Sequence, residues 1–419
     1  MQDSAGTRGG HAGLGQGGDV GMDIVITPKK LSGTVTAIPS KSQAHRMLIC
    51  AAFADRDTFL FCPETNRDID ATAKCLNALG AEITKTNRGF SVKPVHHIPK
   101  AAVLPCQDSG STLRFLLPVA GALGCEAAFQ MTGRLPQRPL SPLWEEMERM
   151  GCSLSRPTAD TIRCTGQLRA GRYRISGGVS SQFITGLLLA CALIPGESSI
   201  EILGRLESAP YVTMTLGAMA LFGKEVRNLT VTGGPFRSPG TVTVEGDWSN
   251  AAFFLAARAL GSDINVRNLA PDSPQGDRAC AELLPALVQS AQTIPAADIP
   301  DLVPILAVAA AACHGAVFTD IGRLRLKESD RVESVIAMLK ALGGNASADA
   351  DTLTVSGTGL RGGTVDSRND HRIAMAAAIA ATVCTETVTI LGAECVEKSY
   401  PGFFEEYRKS GGSYEQYLR

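Results

Sequence analysis

Asp108-Ser109-Gly110-Ser111-Thr112-Leu113-Arg114 stands directly ahead of Phe115-Leu116-Leu117 and a run of small apolar residues. Short polar side chains ahead of apolar turns are the chemistry of a helix N-terminus, where Ser or Asp oxygens accept from N–H groups that the first turn leaves unpaired. The same phrase recurs near Lys41, Ser180, Asp247, Asp301 and Asp370. With Asp108, the six openings are spaced by 67, 72, 67, 54 and 69 residues, so the chain repeats one structural idea six times. The helices that follow, such as the one opened by Gly246-Asp247-Trp248-Ser249-Asn250, are apolar on every side, which suits the centre of a domain.

A second phrase keeps the same period. An amphipathic helix closes on a large apolar residue and Gly at Leu79-Gly80, Met150-Gly151, Phe222-Gly223 and Leu342-Gly343, and Gly in that place stops a helix. The 120 residues between Gly223 and Gly343 leave room for one degenerate copy ending near Ala291, and Gly411 closes a sixth. Strand-like runs such as Thr241-Val242-Thr243-Val244 and Thr352-Leu353-Thr354-Val355 lie between the helices. Six mixed α/β units are predicted. A stacked solenoid is the plainer reading of a period, but repeats there run about 20 to 50 residues, shorter than these.

At 419 residues and 44% hydrophobic, the chain suffices for two or three compact domains. Its 40 Lys and Arg nearly cancel 41 Asp and Glu, which excludes the global basic field that captures nucleic acid or an anionic membrane. Phe183 to Ile194, the most apolar stretch, falls well short of the roughly 20 residues that cross a bilayer. The 12 cysteines are scattered from Cys50 to Cys395 without a C-x-x-C pair, so a cytoplasmic location is expected. Residues 1–21, Gly-rich and without an apolar segment, read as a disordered extension ahead of the strand-like Asp23-Ile24-Val25-Ile26-Thr27.

The helix openings carry most of the distinctive cations. Lys41, Arg46, Arg114 and Arg372 stand at them, and Arg138, Lys327, Arg331 and Lys398 in nearby loops. One such Arg is ordinarily a solvated surface group; eight beside Gly, Ser and Thr in a neutral chain point to small, multiply anionic ligands, which guanidinium grips bidentately. If several openings face one cleft, each adds about 0.3–1 kcal/mol toward a phosphate or carboxylate.

Ile38-Pro39-Ser40-Lys41-Ser42-Gln43-Ala44-His45-Arg46 resembles the opening motif of the 3-phosphoshikimate 1-carboxyvinyltransferases, of the enolpyruvyl transferase family. Asp108 to Arg114 resembles their second signature and Arg134-Leu135-Pro136-Gln137-Arg138-Pro139 their R-x-x-x-R-P loop. Ser180-Ser181-Gln182, Ser208-Ala209-Pro210-Tyr211, Glu245-Gly246-Asp247, Lys327-Glu328-Ser329-Asp330-Arg331, Asp370-His371-Arg372 and Lys398-Ser399-Tyr400-Pro401 follow in the family's order. The resemblance implies an α/β protein of two domains, each of three repeated units, with helix N-termini facing an interdomain cleft. Domain 1 would comprise residues 22–39 plus 246–419 and domain 2 residues 40–245, with crossings near Pro39 and Glu245.

The resemblance also implies the chemistry: the 5-hydroxyl of 3-phosphoshikimate adds to C2 of phosphoenolpyruvate, and the tetrahedral ketal loses phosphate. Lys41, Ser42, Arg46, Ser180, Ser181, Gln182, Ser208, Tyr211, Asp301 and Lys327 would bind 3-phosphoshikimate. Lys41, Gly110, Arg138, Gln182, Arg331, Arg372 and Lys398 would bind phosphoenolpyruvate. Asp301 would take the hydroxyl proton, with Glu328 and Lys41 protonating and deprotonating the methylene carbon; a carboxylic acid donates only if its pKa is raised. No cofactor or metal is implied, and a monomer is expected. In the family glyphosate competes for the phosphoenolpyruvate pocket beside a glycine at the position of Gly110, so sensitivity is expected.

Read without the family, Asp301 is a helix N-cap after Ile299-Pro300, Glu328 an exposed partner of Arg331, and His371 a satisfied structural histidine. Many members have Asn at the positions of Asp108 and Arg323; Asp108 is therefore expected to do no more than cap its helix. The sister transferase acting on a UDP-amino sugar is the nearest rival, but no reactive loop cysteine stands near Arg134 to Arg138. A nucleotide-binding protein is a more distant alternative, yet the Gly-rich run Gly9 to Gly18 lacks the Gly-Lys-Ser/Thr of a phosphate loop.

Overall fold

A computed structural model describes residues 21–419; all but the last residue of the expected extension lies outside the described residues. Among the described residues the α-helices form six consecutive pairs: α1 Lys41–Ala52 and α2 Arg67–Ala78, α3 Gly110–Leu123 and α4 Leu143–Arg149, α5 Ser181–Cys191 and α6 Ala209–Leu221, α7 Trp248–Ala259 and α8 Cys280–Gln289, α9 Val303–Ala312 and α10 Arg331–Ala341, α11 His371–Ala380 and α12 Phe403–Lys409. The first helix of each pair starts within two residues of a predicted opening. Burial of these helices follows their composition: every residue of α11 and all of α9 but Ala312 is buried. Gly80, Gly151, Gly223, Gly343 and Gly411 all have positive φ after the second helices, while α8 ends on an extended Ser290 with no glycine.

Each helix pair belongs to one of six sheets. In the second and fifth units the pattern is plain: Ala101–Gln107 runs parallel to Glu126–Met131 across α3, and Thr161–Gly166 and Cys152–Thr158 add antiparallel. Gln292–Pro295, Ala316–Thr319, Leu353–Ser356 and Asn345–Ala348 repeat it around α9 and α10. A parallel pair needs a crossover, which the buried helix supplies. The unit of α5 and α6 keeps three strands and that of α7 and α8 two.

Two units take their leading strand from elsewhere in the chain. Ser32–Thr36, which precedes α1, pairs instead with Asp263–Arg267 beyond α7. Thr241–Thr243, which precedes α7, pairs with Thr58–Phe61 beyond α1. Between these exchanged strands the two crossings lie side by side: Ser40 N donates to Glu245 O at 2.8 Å and Asp247 N to Ile38 O at 2.7 Å. Gln275 ties them together, its Oε1 accepting from Ser40 Oγ and Trp248 N and its Nε2 donating to Glu245 Oε1 and Gly246 O.

Two hydrophobic cores result. One draws only on residues from Ala44 to Val244. The other joins Ile24 to Ile38 with Trp248 to Tyr407. Among the described residues no helix is long and apolar enough to cross a membrane.

Candidate active site

The helix openings converge on one cleft between the two cores. Lys41 and Ser42 of α1, Gly110 and Ser111 of α3, Ser180 to Gln182 of α5, Ser208 and Tyr211 of α6, Asp301, Lys327, Glu328 and Arg372 line it. Caps set the local backbone: Ser109 Oγ accepts from Thr112 N, Ser180 Oγ from Gln182 N and Asp370 Oδ1 from Arg372 N. The opening of α7 is the exception, since Asp247 is not among the lining residues and accepts from Lys41 N at 3.1 Å.

Asp301 is not a cap; Leu302 holds that place, and the carboxylate turns into the cleft. Its Oδ1 meets Arg331 at 2.8 Å and Lys327 at 3.4 Å, its Oδ2 Arg372 at 3.1 Å and the Tyr211 hydroxyl at 3.1 Å. Burial alone would raise the Asp301 pKa, but Arg372, Lys327 and Arg331 hold it well below the usual carboxylate range. In return burial lowers the Lys327 pKa to about 8 against the pull of Asp301.

Glu328 lies 2.8 Å from Arg331 and 3.7 Å from Arg138. Its environment reverses the condition an acid requires: burial pushes the carboxyl up, yet Arg138, Arg331 and Lys398 bring it well below its usual value. Without a ligand it is a carboxylate. Lys41 completes the set, its Nζ held 3.0 Å from the buried Asp68.

The other expected ligands divide. Gln182 is aimed by Ser111 at 3.0 Å and Arg114 at 3.1 Å. Ser208, at a left-handed φ of 56°, donates to Ala297 O and accepts from Arg323 at 2.7 Å. Arg46 lines the cleft but is engaged by Thr215, Thr185, Tyr211 O and Ser42 O. Arg331 and Lys398 are not among the lining residues. Arg331 is wholly buried among Asp370, Glu328 and Asp301. Lys398 adjoins Arg138 and Glu328 in a neighbouring pocket, bound to Asp108.

Two expectations are corrected. Asp108 does not cap its helix, a task Ser109 performs; its Oδ2 lies 2.5 Å from Lys398 Nζ. His371 lines the cleft with neither ring nitrogen partnered among the described residues, and burial among Arg372, Lys41 and Arg331 holds its pKa well below the usual value, so it is neutral rather than satisfied. Sequence reading missed Asp68, which looks like any acid in a helix's first turn, and Asp277, whose carboxylate meets the Tyr211 hydroxyl.

The family model of EPSP synthase (3-phosphoshikimate 1-carboxyvinyltransferase) matches residues 25–407. The chain belongs to the EPSP synthase family. The 3-phosphoshikimate 1-carboxyvinyltransferase of Clostridium kluyveri is 38% identical over 94% of this chain and 98% of its own length, and that of Clostridium perfringens strain ATCC 13124 37% identical over 93% and 98%. A solved EPSP synthase of Acinetobacter baumannii superposes with a TM-score of 0.76 at 22% identity, covering 94% of this chain and all of that one. The expected two-domain enolpyruvyl transferase fold is thus the fold observed. Membership in the EPSP synthase family does not favour the UDP-amino sugar enzyme. Within the EPSP synthase family frame, Arg323 places a guanidinium, 12% exposed at its side chain, beside Ser208.

Proposed function

We propose that this chain transfers the enolpyruvyl group of phosphoenolpyruvate to the 5-hydroxyl of 3-phosphoshikimate with release of phosphate, a step of the shikimate pathway to the aromatic amino acids. One observation carries the reading: among the described residues Lys41, Arg46, Arg114, Arg138, Arg323, Lys327 and Arg372 line a cleft with three carboxylates, Asp68, Asp301 and Glu328. Such an excess of cations over helix N-termini is matched by two substrates bearing two phosphates and two carboxylates.

In this reading Ser42, Arg46, Ser180, Ser181, Gln182, Ser208, Tyr211 and Lys327 hold 3-phosphoshikimate. Gly110, Gln182, Arg138, Arg331, Arg372 and Lys398 serve phosphoenolpyruvate, Arg331 from behind Glu328 and Asp301. Lys41 reaches both. The substrates also set the proton chemistry. Anions drawn to Arg138 and Lys398 offset the charges that keep Glu328 ionised, so burial then prevails and its carboxyl becomes able to donate to the methylene carbon. Likewise, ligand anions on Lys327 and Arg372 release Asp301 to act as base toward the 5-hydroxyl.

The same reading divides the chain at Pro39 and Glu245 into a domain of residues 22–39 plus 246–419 and one of residues 40–245, supported by the two separate cores. It takes the enzyme as a monomer, and as cytoplasmic, since all 12 cysteines are free. The test mixes the protein with both substrates, without added metal, and follows inorganic phosphate and the enolpyruvyl product by NMR. Equal yields of the two are expected. Phosphate release with a UDP-amino sugar but not with 3-phosphoshikimate would overturn the reading.

A further inference from the structure

Asp277 lies on a short turn, Gly276–Ala279, and is 5% exposed. Its Oδ2 is 3.4 Å from the Tyr211 hydroxyl, which on its other side is 3.1 Å from Asp301 Oδ2. Among the described residues its Oδ1 has no partner. One phenol therefore bridges two buried carboxylates that differ sharply in surroundings: Asp301 touches three cations, whereas Asp277 meets the hydroxyl.

We propose that Asp277 is the second carboxylate of a proton relay through Tyr211, receiving the proton that Asp301 removes from the 5-hydroxyl. The inference rests on the reading of Asp301 as base. As the 5-oxygen bonds to C2, its O–H bond breaks and the proton passes to Asp301. Asp301 gives a proton to the Tyr211 oxygen while Tyr211 gives its own to Asp277 Oδ2, so the phenol is neutral before and after. After elimination the proton returns along the same line and leaves with inorganic phosphate.

The groups around Asp277 make it the better proton store. Burial and the like charge of Asp301 raise its pKa, Asp247 at the opening of α7 adds to this, and Arg372 and Lys327 oppose it, leaving a value of about 7. Cys280 on the adjoining helix is pushed well up by burial and remains a neutral thiol. Asp301, gripped in the ligand-free protein by Arg372, Lys327 and Arg331 and still beside the buried Arg331 when anions occupy the other two, holds a proton less well than Asp277. A base that hands its proton on recovers its charge for the next step.

Asp277 does not touch the reacting atoms and acts as a positioning and relay residue. Because it must be ionised to receive, kcat/KM of the unsubstituted enzyme should fall as pH drops through about 7. Asp277→Asn should lower kcat at least about 10-fold, leave both KM values within about threefold, and abolish that acid limb. An unchanged limb, or a loss confined to KM, overturns the relay. Asp301→Asn is run beside it: if that variant is as active as wild type, the base reading fails first, whereas its inactivity with an unaltered Asp277→Asn leaves the base and sinks only the relay. Should Asp277→Asn not fold, infrared titration of the unsubstituted protein decides. A protonated-carboxyl band that ionises near neutral pH supports the relay, and absence of one overturns it.

Discussion

A methyl group built on Gly110 would lie 2.6 Å from an Arg114 guanidinium nitrogen and 2.7 Å from one of Arg138. Both are ends of flexible side chains, so Gly110→Ala should fold, with Arg138 pushed off its place at the phosphoenolpyruvate pocket. KM for phosphoenolpyruvate should then rise, and the inhibition constant of the longer glyphosate should rise further, by about 1–3 kcal/mol on the scale of overpacking; steady-state inhibition gives both constants, and equal shifts would refute the placement. At Glu328, replacement by Gln preserves shape but removes the titrating proton, and kcat should fall by at least about 10²-fold. Lys327 offers a test by pH. Its pKa is depressed to about 8, so its charge is complete below that value and lost as pH rises through it, and kcat/KM for 3-phosphoshikimate should decline on the alkaline side. In Lys327→Gln that limb should vanish. The cleft cations Lys41, Arg46, Arg114 and Arg372 were legible in the sequence because each sits a few residues from a local helix signal. Asp277 was not, because its meaning arises only from burial against Tyr211, 66 residues away.

Helix stops were equally legible, since a Gly after a large apolar residue is local chemistry, but the sequence did not reveal which stops are also sites of close packing. Gly151 has φ 118° and a Cβ there would meet the Gln167 carbonyl oxygen at 2.5 Å. Gly411 has φ 84° with nothing nearer than Ser32 Oγ at 3.9 Å. Gly411→Ala should therefore cost only the left-handed penalty of about 1–2 kcal/mol, and Gly151→Ala that penalty plus a backbone clash of about 1–3 kcal/mol. Urea denaturation midpoints compare them directly; equal losses would mean the backbone near Gln167 yields. The strand exchange around the crossings lay beyond sequence reading altogether. Ser32–Thr36 and Thr241–Thr243 look like any short strands, and pairing between segments some 200 residues apart leaves no periodic trace in either.

Across the whole molecule the cleft walls already touch without ligand, through Arg205 and Asp320, Lys398 and Asp108, and Tyr211 and Asp301. Seven cations facing three carboxylates nevertheless repel one another across it, so bound anions supply the attraction that favours closure. In dilute salt, where screening is weakest, adding 3-phosphoshikimate should reduce the radius of gyration measured by small-angle scattering; an unchanged radius would place the closed arrangement in the free protein as well. The pairing of Met22–Thr27 with Ser413–Leu418 bears on synthesis rather than catalysis. Residues 44–244 contain one complete core and can collapse while the ribosome is still working. The other core must wait: its strand Met22–Thr27, among the first described residues to emerge, lies between Val388–Leu391 and Ser413–Leu418, the latter some 390 residues and about 20–80 s later at ordinary elongation rates. Throughout that interval Ile24 and Ile26, destined for full burial, have no core to enter.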